Sequence, residues 1–198
     1  MPPVVPLLDG TSALPSLPSP HRQRVSSSID AELSDRWRRG PGIFVVIDAR
    51  GEAGRQIHAI QEAYDPKLAN YLPPHLTLAG SSGVGPIDPA TPRDRLRDVL
   101  SEIAATTPPM ELAFHPPIRF MQTDIVVLPV DHHGPLRELH DRIATSGLSF
   151  QPARHAFTPH VTLSFFRTLT PQQRRELLAV RLAEPLVVDH IRCSLTDE

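Results

Sequence analysis

The sequence has a single cysteine, Cys193, which excludes an intrachain disulfide and any thiolate metal cluster. That cysteine usage fits a reducing compartment, so the expected location is cytoplasmic. No apolar run approaches the roughly 20 residues that a membrane-spanning helix requires, and no membrane partner is expected. The N-terminus lacks the early basic residues and continuous apolar core of a secretory signal. Lysine occurs only at Lys67, and the formal net charge is −2. This is not the balance of a protein that coats nucleic acid, so a nucleic-acid ligand would need positive charge gathered in one cleft. Neither H-E-x-x-H nor a Cys/His ligand spacing is present, and no metal or other cofactor is expected.

What is present suits one soluble core. The chain has 198 residues, 40% hydrophobic and 21% charged, enough for a single domain with an added segment. Residues 1–41 read as a Pro/Ser-rich N-terminal extension. Through residue 28 its apolar positions follow neither a strand nor a helix period. A short helix is predicted at 29–39, docked by Ile29, Leu33 and Trp37. The folded domain is expected at 42–198, as a monomer.

Within that domain the same order of elements occurs twice. Ile43–Ile47 reads as a buried strand, and residues 51–64 as a helix with Ile57, Ile60 and Tyr64 on one side. PPHLTLAG is a strand opened by prolines. Thr91-Pro92, with Asp94, predicts a capped helix whose inward stripe is Leu96, Val99, Leu100 and Ile103. Residues 110–115 return to a strand pattern. The second half runs through a strand at Ile125–Val130, a helix at 135–146 facing inward with Leu136, Leu139 and Ile143, and the strand TPHVTLSFF. A helix capped by Thr170-Pro171 and Gln173 follows, then a final strand over Leu186–Leu195. The expected architecture is a duplicated β-α-β-α-β unit.

The chemistry lies in Pro74-His75-Leu76-Thr77-Leu78 and Pro159-His160-Val161-Thr162-Leu163, two copies of Pro-His-aliphatic-Thr-Leu. On a strand, positions i and i+2 share a face. His75 with Thr77, and His160 with Thr162, should therefore face a cleft while the aliphatic residues pack inward. Two imidazoles opposed across a phosphate can act as base and acid, because their unperturbed pKa lies near neutrality. Each threonine hydroxyl can donate to a non-bridging phosphate oxygen. A single H-x-T is more often structural; two matched copies reverse those odds.

Those motifs resemble the 2H phosphoesterase superfamily, which includes 2′-5′ RNA ligase-like proteins and cyclic phosphodiesterases. The resemblance is strongest over Phe157–Leu163 and, with the order of elements, covers about residues 42–195. It implies a bilobal α+β fold, two pseudo-symmetric β-α-β-α-β halves around a central cleft, and a metal-independent phosphodiesterase acting on nucleotides or RNA ends with 2′,3′-cyclic phosphates or 2′-5′ linkages, with reverse ligation open to the same site. His75 and His160 would be catalytic, and Thr77, Thr162 and Arg154 would bind the substrate phosphate. Members commonly carry an aromatic residue and then glycine after the first motif; here Leu78 runs into Ala79-Gly80-Ser81-Ser82-Gly83. The alternative in another class is a non-catalytic nucleotide or RNA-end binding module.

Other residues have plainer readings. Arg119 and Arg167 read as solvated arginines more readily than as anion ligands. Phe157 could stack on a base, against the commoner fate of core packing. His155 and His160, five apart, should point to opposite faces if both lie on one extended strand. His132-His133 sit in a turn, and His140 lies on an inward helical stripe as a hydrogen-bonded core histidine. The Gly-Ser-Ser-Gly-Val-Gly stretch lacks the lysine of a P-loop and reads as a flexible connector.

Overall fold

The computed structural model describes residues 41–120 and 123–196. The extension and its predicted helix at 29–39 lie outside the described residues, apart from Pro41, whose carbonyl accepts from Gln151 Nε2 at 3.2 Å. The elements run β1 (Gly42–Asp48), α1 (Gly51–Tyr64), α2 (Pro66–Tyr71), β2 (His75–Ala79), α3 (Arg93–Ala105), β3 (Met110–Leu112) and β4 (Ile118–Arg119). The second half continues with β5 (Val126–Pro129), α4 (Gly134–Ala144), β6 (His160–Ser164), α5 (Pro171–Ala179), β7 (Leu186–Val188) and β8 (Arg192–Thr196). Among the described residues no helix is long and apolar enough to cross a membrane.

Local signals set most of the boundaries. At α5 the Thr170 hydroxyl accepts from the Gln173 amide while the Gln173 side chain accepts from the Thr170 amide, the reciprocal cap that its sequence predicts. The Thr91-Pro92 signal works differently from expectation. Pro92 occupies the cap position of α3 and no side chain caps it. Thr91 is drawn instead into a turn, its amide donating to the Asp88 carbonyl at 2.9 Å. The helix α2 was not expected, although Asp65-Pro66 carries its signal: Asp65 Oδ1 accepts the Leu68 amide, and proline occupies the first turn.

Six strands form one sheet in the order β4-β5-β6-β2-β1-β8, while β3 and β7 pair separately. The expected final strand over Leu186–Leu195 is therefore two strands in two sheets, broken where Asp189 and His190 turn the chain. The duplication reaches into the registers. Asp48 faces His75, Val46 faces Thr77, and a bulge follows before Val45 meets Ala79. In the other half, Pro129 faces His160, Val127 faces Thr162, and a bulge follows before Val126 meets Ser164. Even the entry bonds match: Ala49 donates to the Pro74 carbonyl and Val130 to the Pro159 carbonyl.

The two halves exchange parts. β4, from the first repeat, pairs with β5, and β8, from the second, pairs with β1. Helix α1 packs on β6 and α4 on β2, each crossing donating a side-chain hydrogen-bonding group to the other half. Gln61 of α1 donates to the Thr162 carbonyl at 2.7 Å, and His140 Nδ1 of α4 lies 3.0 Å from the Leu78 carbonyl. Beneath β2 and β6, Leu76, Leu78, Val161 and Leu163 are wholly buried, as the alternation requires. Burial of each such side chain is worth roughly 1.5–3 kcal/mol, which pins the strand faces against a one-residue slip.

Candidate active site

The central pair of strands builds the site. Leu76 pairs with Val161 in antiparallel register, which sets His75 across from Thr162 and Thr77 across from His160. The two histidines then occupy one diagonal and the two threonines the other. Diagonal positions in an antiparallel pair have Cβ atoms roughly 7 Å apart, close enough for two imidazoles to reach one small anion. All four side chains are half-buried and line a cleft of about 630 Å³.

The Pro-His dipeptides have a structural purpose. The residue before a proline is held extended, and in both motifs its carbonyl meets the following histidine. His75 Nδ1 lies 2.8 Å from the Pro73 carbonyl, and His160 Nδ1 lies 2.6 Å from the Thr158 carbonyl. A carbonyl can only accept, so each Nδ1 carries its proton and each Nε2 is left as the titrating atom. Burial pushes the pKa of both histidines below the ordinary value, with the carbonyl partners working in the opposite direction. For His160, a charge on His75 lowers it further, which disfavours the doubly protonated pair. Among the described residues neither threonine hydroxyl is engaged in a hydrogen bond.

Charge breaks the pseudo-symmetry. Arg192, which faces Val46 on β8, lines the cleft and grips Asp48 through Nε and Nη2 at 2.8 to 3.1 Å. Its counterpart in the second half, facing Val127, is Ile118. Arg192 is the one arginine or lysine among the described residues lining the cleft. Sequence reasoning missed it, because nothing local distinguishes Arg192 from a surface arginine on an edge strand.

Of the residues expected at the site, His75, Thr77, His160 and Thr162 are brought together. Arg154 is not: it is half-buried, its amide donates to the Ser81 carbonyl, and its side chain is not part of the cleft lining. The peptide before β6 turns at this point and presents His155 instead. His155 lies in the cleft together with His160, against expectation, because the strand begins only at His160 and alternation does not extend upstream. Phe157 is not available to a base; it stacks on His140 with ring centroids 3.8 Å apart. Arg119 sits near Asp124, and Arg167 is exposed outside the lining. The glycine-rich stretch is no loose connector. Gly83 donates to the His155 carbonyl at 2.9 Å, Ser82 bridges His155, and a Cβ on Gly83 would lie 2.5 Å from the His140 ring. One trio of metal-capable side chains occurs among the described residues, the exposed Asp131, His132 and His133, and it lies outside the cleft lining.

An α+β sheet with two pseudo-symmetric His/Thr pairs converging on one cleft defines a phosphoesterase of the two-histidine class. The family model of the 2′-5′ RNA ligase superfamily matches residues 49–197, and the chain belongs to that superfamily. Solved structures similar to it include a phosphoesterase at 16% identity, TM-score 0.46, covering 80% of this chain and 97% of that one. Escherichia coli LigT in apo form is similar at 19% identity, TM-score 0.44, covering 80% and 96%. LigT complexed with 3′-AMP is similar at 20% identity, TM-score 0.45, covering 80% and 97%. Among curated protein sequences, none matches.

Proposed function

We propose that the protein is a metal-independent phosphodiesterase that opens 2′,3′-cyclic phosphates or cleaves 2′-5′ linkages of nucleotides or RNA ends. The observation carrying this reading is the diagonal of His75 and His160 with both Nε2 atoms left to titrate, crossed by the diagonal of Thr77 and Thr162. A phosphate centred on the crossing receives two hydroxyl donors on its non-bridging oxygens. One imidazole, neutral at Nε2, takes the proton of the attacking oxygen as that oxygen bonds to phosphorus. The other, protonated, supplies a proton to the oxygen whose bond to phosphorus breaks.

Arg192 adds a permanent positive charge. With Nε and Nη2 committed to Asp48, Nη1 can reach an anion, and the carboxylate holds the guanidinium in place without entering the lining itself. The same transition state serves ligation in reverse. The test is turnover over a panel of 2′,3′-cyclic mononucleotides, 2′-5′ dinucleotides and ADP-ribose 1″,2″-cyclic phosphate. Product formation that disappears in His75→Ala and His160→Ala supports the enzyme. Tight binding without turnover across the whole panel identifies a binding module instead.

A further inference from the structure

Beyond the two His/Thr pairs the cleft is chemically lopsided. By the register of β2 and β6, the lining residues on the side of Thr77 and His160 include Ser81, Ser82 and His155, and those on the side of His75 and Thr162 include Tyr71, Phe165 and Phe166. Those three rings are 58%, 51% and 39% exposed. Large apolar side chains left together in water forgo burial energy, and such a patch marks a binding surface. The rings are nonetheless ordered against one another. Tyr71 and Phe165 each meet Phe166 edge to face, with centroids 5.8 and 4.9 Å apart, and Lys67 Nζ sits 4.2 Å from the Phe166 centroid.

One buried carboxylate organises this end of the cleft. Asp65, 1% exposed, accepts the amides of Phe165 and Phe166 on Oδ2, both at 2.7 Å, and the Leu68 amide on Oδ1. It thereby ties the turn after β6 to the start of α2, the helix that carries Lys67 and Tyr71. The other aromatic side chains of the lining are already engaged. Phe120 meets His160 at 90° with centroids 5.1 Å apart, and Phe44 is packed against Gly80 and Thr77 so closely that a Cβ on Gly80 would lie 2.6 Å from its ring.

We infer that Tyr71, Phe165 and Phe166 form a stacking platform for the nucleobase of the ligand whose phosphate lies between His75 and His160. This rests on the phosphodiesterase reading and deepens it, because the platform orients the substrate. Every base has a π face for such rings, so the platform is tolerant of base identity, and Lys67 adds positive charge for an anionic nucleotide. With the base at the aromatic end, the ribose oxygens lie beside His75 and the far side of the phosphate beside His160. Opening a 2′,3′-cyclic phosphate then assigns the roles. His160 Nε2 takes a proton from water as the water oxygen bonds to phosphorus. The bond from phosphorus to one ribose oxygen breaks, and that oxygen takes the proton of His75 Nε2. One water is added, and proton exchange with solvent returns both imidazoles to their starting states.

The experiment compares adenosine 2′,3′-cyclic phosphate with ribose 2′,3′-cyclic phosphate, which lacks the base, using the full chain. The parent protein should prefer the adenosine substrate. Phe166→Leu keeps apolar bulk without a π face and should reduce that preference about tenfold, mainly through KM, the usual worth of one stacking ring. An unchanged preference overturns the platform and leaves the two-histidine reading standing; no turnover by the parent protein of either substrate or of any 2′-5′ dinucleotide overturns the reading beneath it. A crystal structure of the parent protein with adenosine monophosphate is independent of variant folding. The base should lie against the Phe165–Phe166 end with the ribose toward His75, and a base seated beside Ser81 and His155 overturns the inference.

Discussion

Arg192 grips Asp48 through two guanidinium nitrogens on the strands beside His75, and Asp48 stands directly across from that histidine in the sheet. The pair puts a fixed cation at the cleft without leaving it loose. Arg192→Met should lower kcat/KM by about tenfold or more, chiefly through KM, since it removes a charge-assisted contact to phosphate. Arg192→Lys restores charge without the fork and should recover only part of the loss. Steady-state kinetics check this; a Met variant with unchanged KM would mean that another group holds the anion.

The same pair carries a stability signature at low pH. Arg192's hydrogen bond is the main cause holding the Asp48 carboxyl below its ordinary pKa of 3.8. A depressed carboxylate contributes stability that is present above its unfolded value and lost as pH falls through the native one. Melting temperature should therefore fall less steeply with acid below pH 3.8 in Asp48→Asn than in the parent protein, as thermal melts across pH will measure.

Replacing either His75 or His160 with alanine should reduce turnover by roughly 10²–10⁴-fold, the worth of a positioned acid or base. The double variant should lose little beyond the worse single, because neither imidazole completes the reaction alone. Near-normal turnover in either single variant would contradict a two-histidine mechanism.

The pH dependence follows from burial of both imidazoles. Each histidine is held below its ordinary pKa of 6.5 chiefly by desolvation, so one neutral and one protonated ring coexist only on the acid side of that value. The kcat/KM profile should be bell-shaped with its maximum below pH 6.5. The sign for stability is the matching one: a depressed histidine stabilises the fold above 6.5, and the contribution is lost as pH falls through the native value. A rate maximum near pH 8 would assign the chemistry to other groups.

Turnover should survive EDTA at millimolar levels. The grouped donors Asp131, His132 and His133 lie outside the cleft lining, and the lining itself contains no carboxylate among the described residues. Loss of activity on chelation, restored by a divalent ion, would move the mechanism to a metal.

Much of this was legible in the chain. The matched Pro-His-x-Thr-Leu segments become β2 and β6, with the aliphatic positions buried and the polar ones in the cleft, because a strand's period of two leaves no other arrangement once one face is apolar. Helix α5 starts where its capping box says, and α1 and α4 present the apolar stripes that their spacing requires. The prediction that His155 would point away from His160 misfired where strand alternation was carried past the strand's start.

Local pattern thus decided where most strands and helices form and which way side chains point within β2 and β6, since those follow from backbone geometry and the apolar period. It could not decide which strands become neighbours. Only the tertiary structure sets β2 against β6, and so makes one site of two motifs, and only it carries β8 across to β1, bringing Arg192 to the cleft while Arg154 stays outside. Likewise it seats Tyr71 beside Phe166 through the single carboxylate of Asp65. Each of these depends on burial and hydrogen bonding between segments distant in the chain, and that energy has no counterpart in any local stretch of sequence.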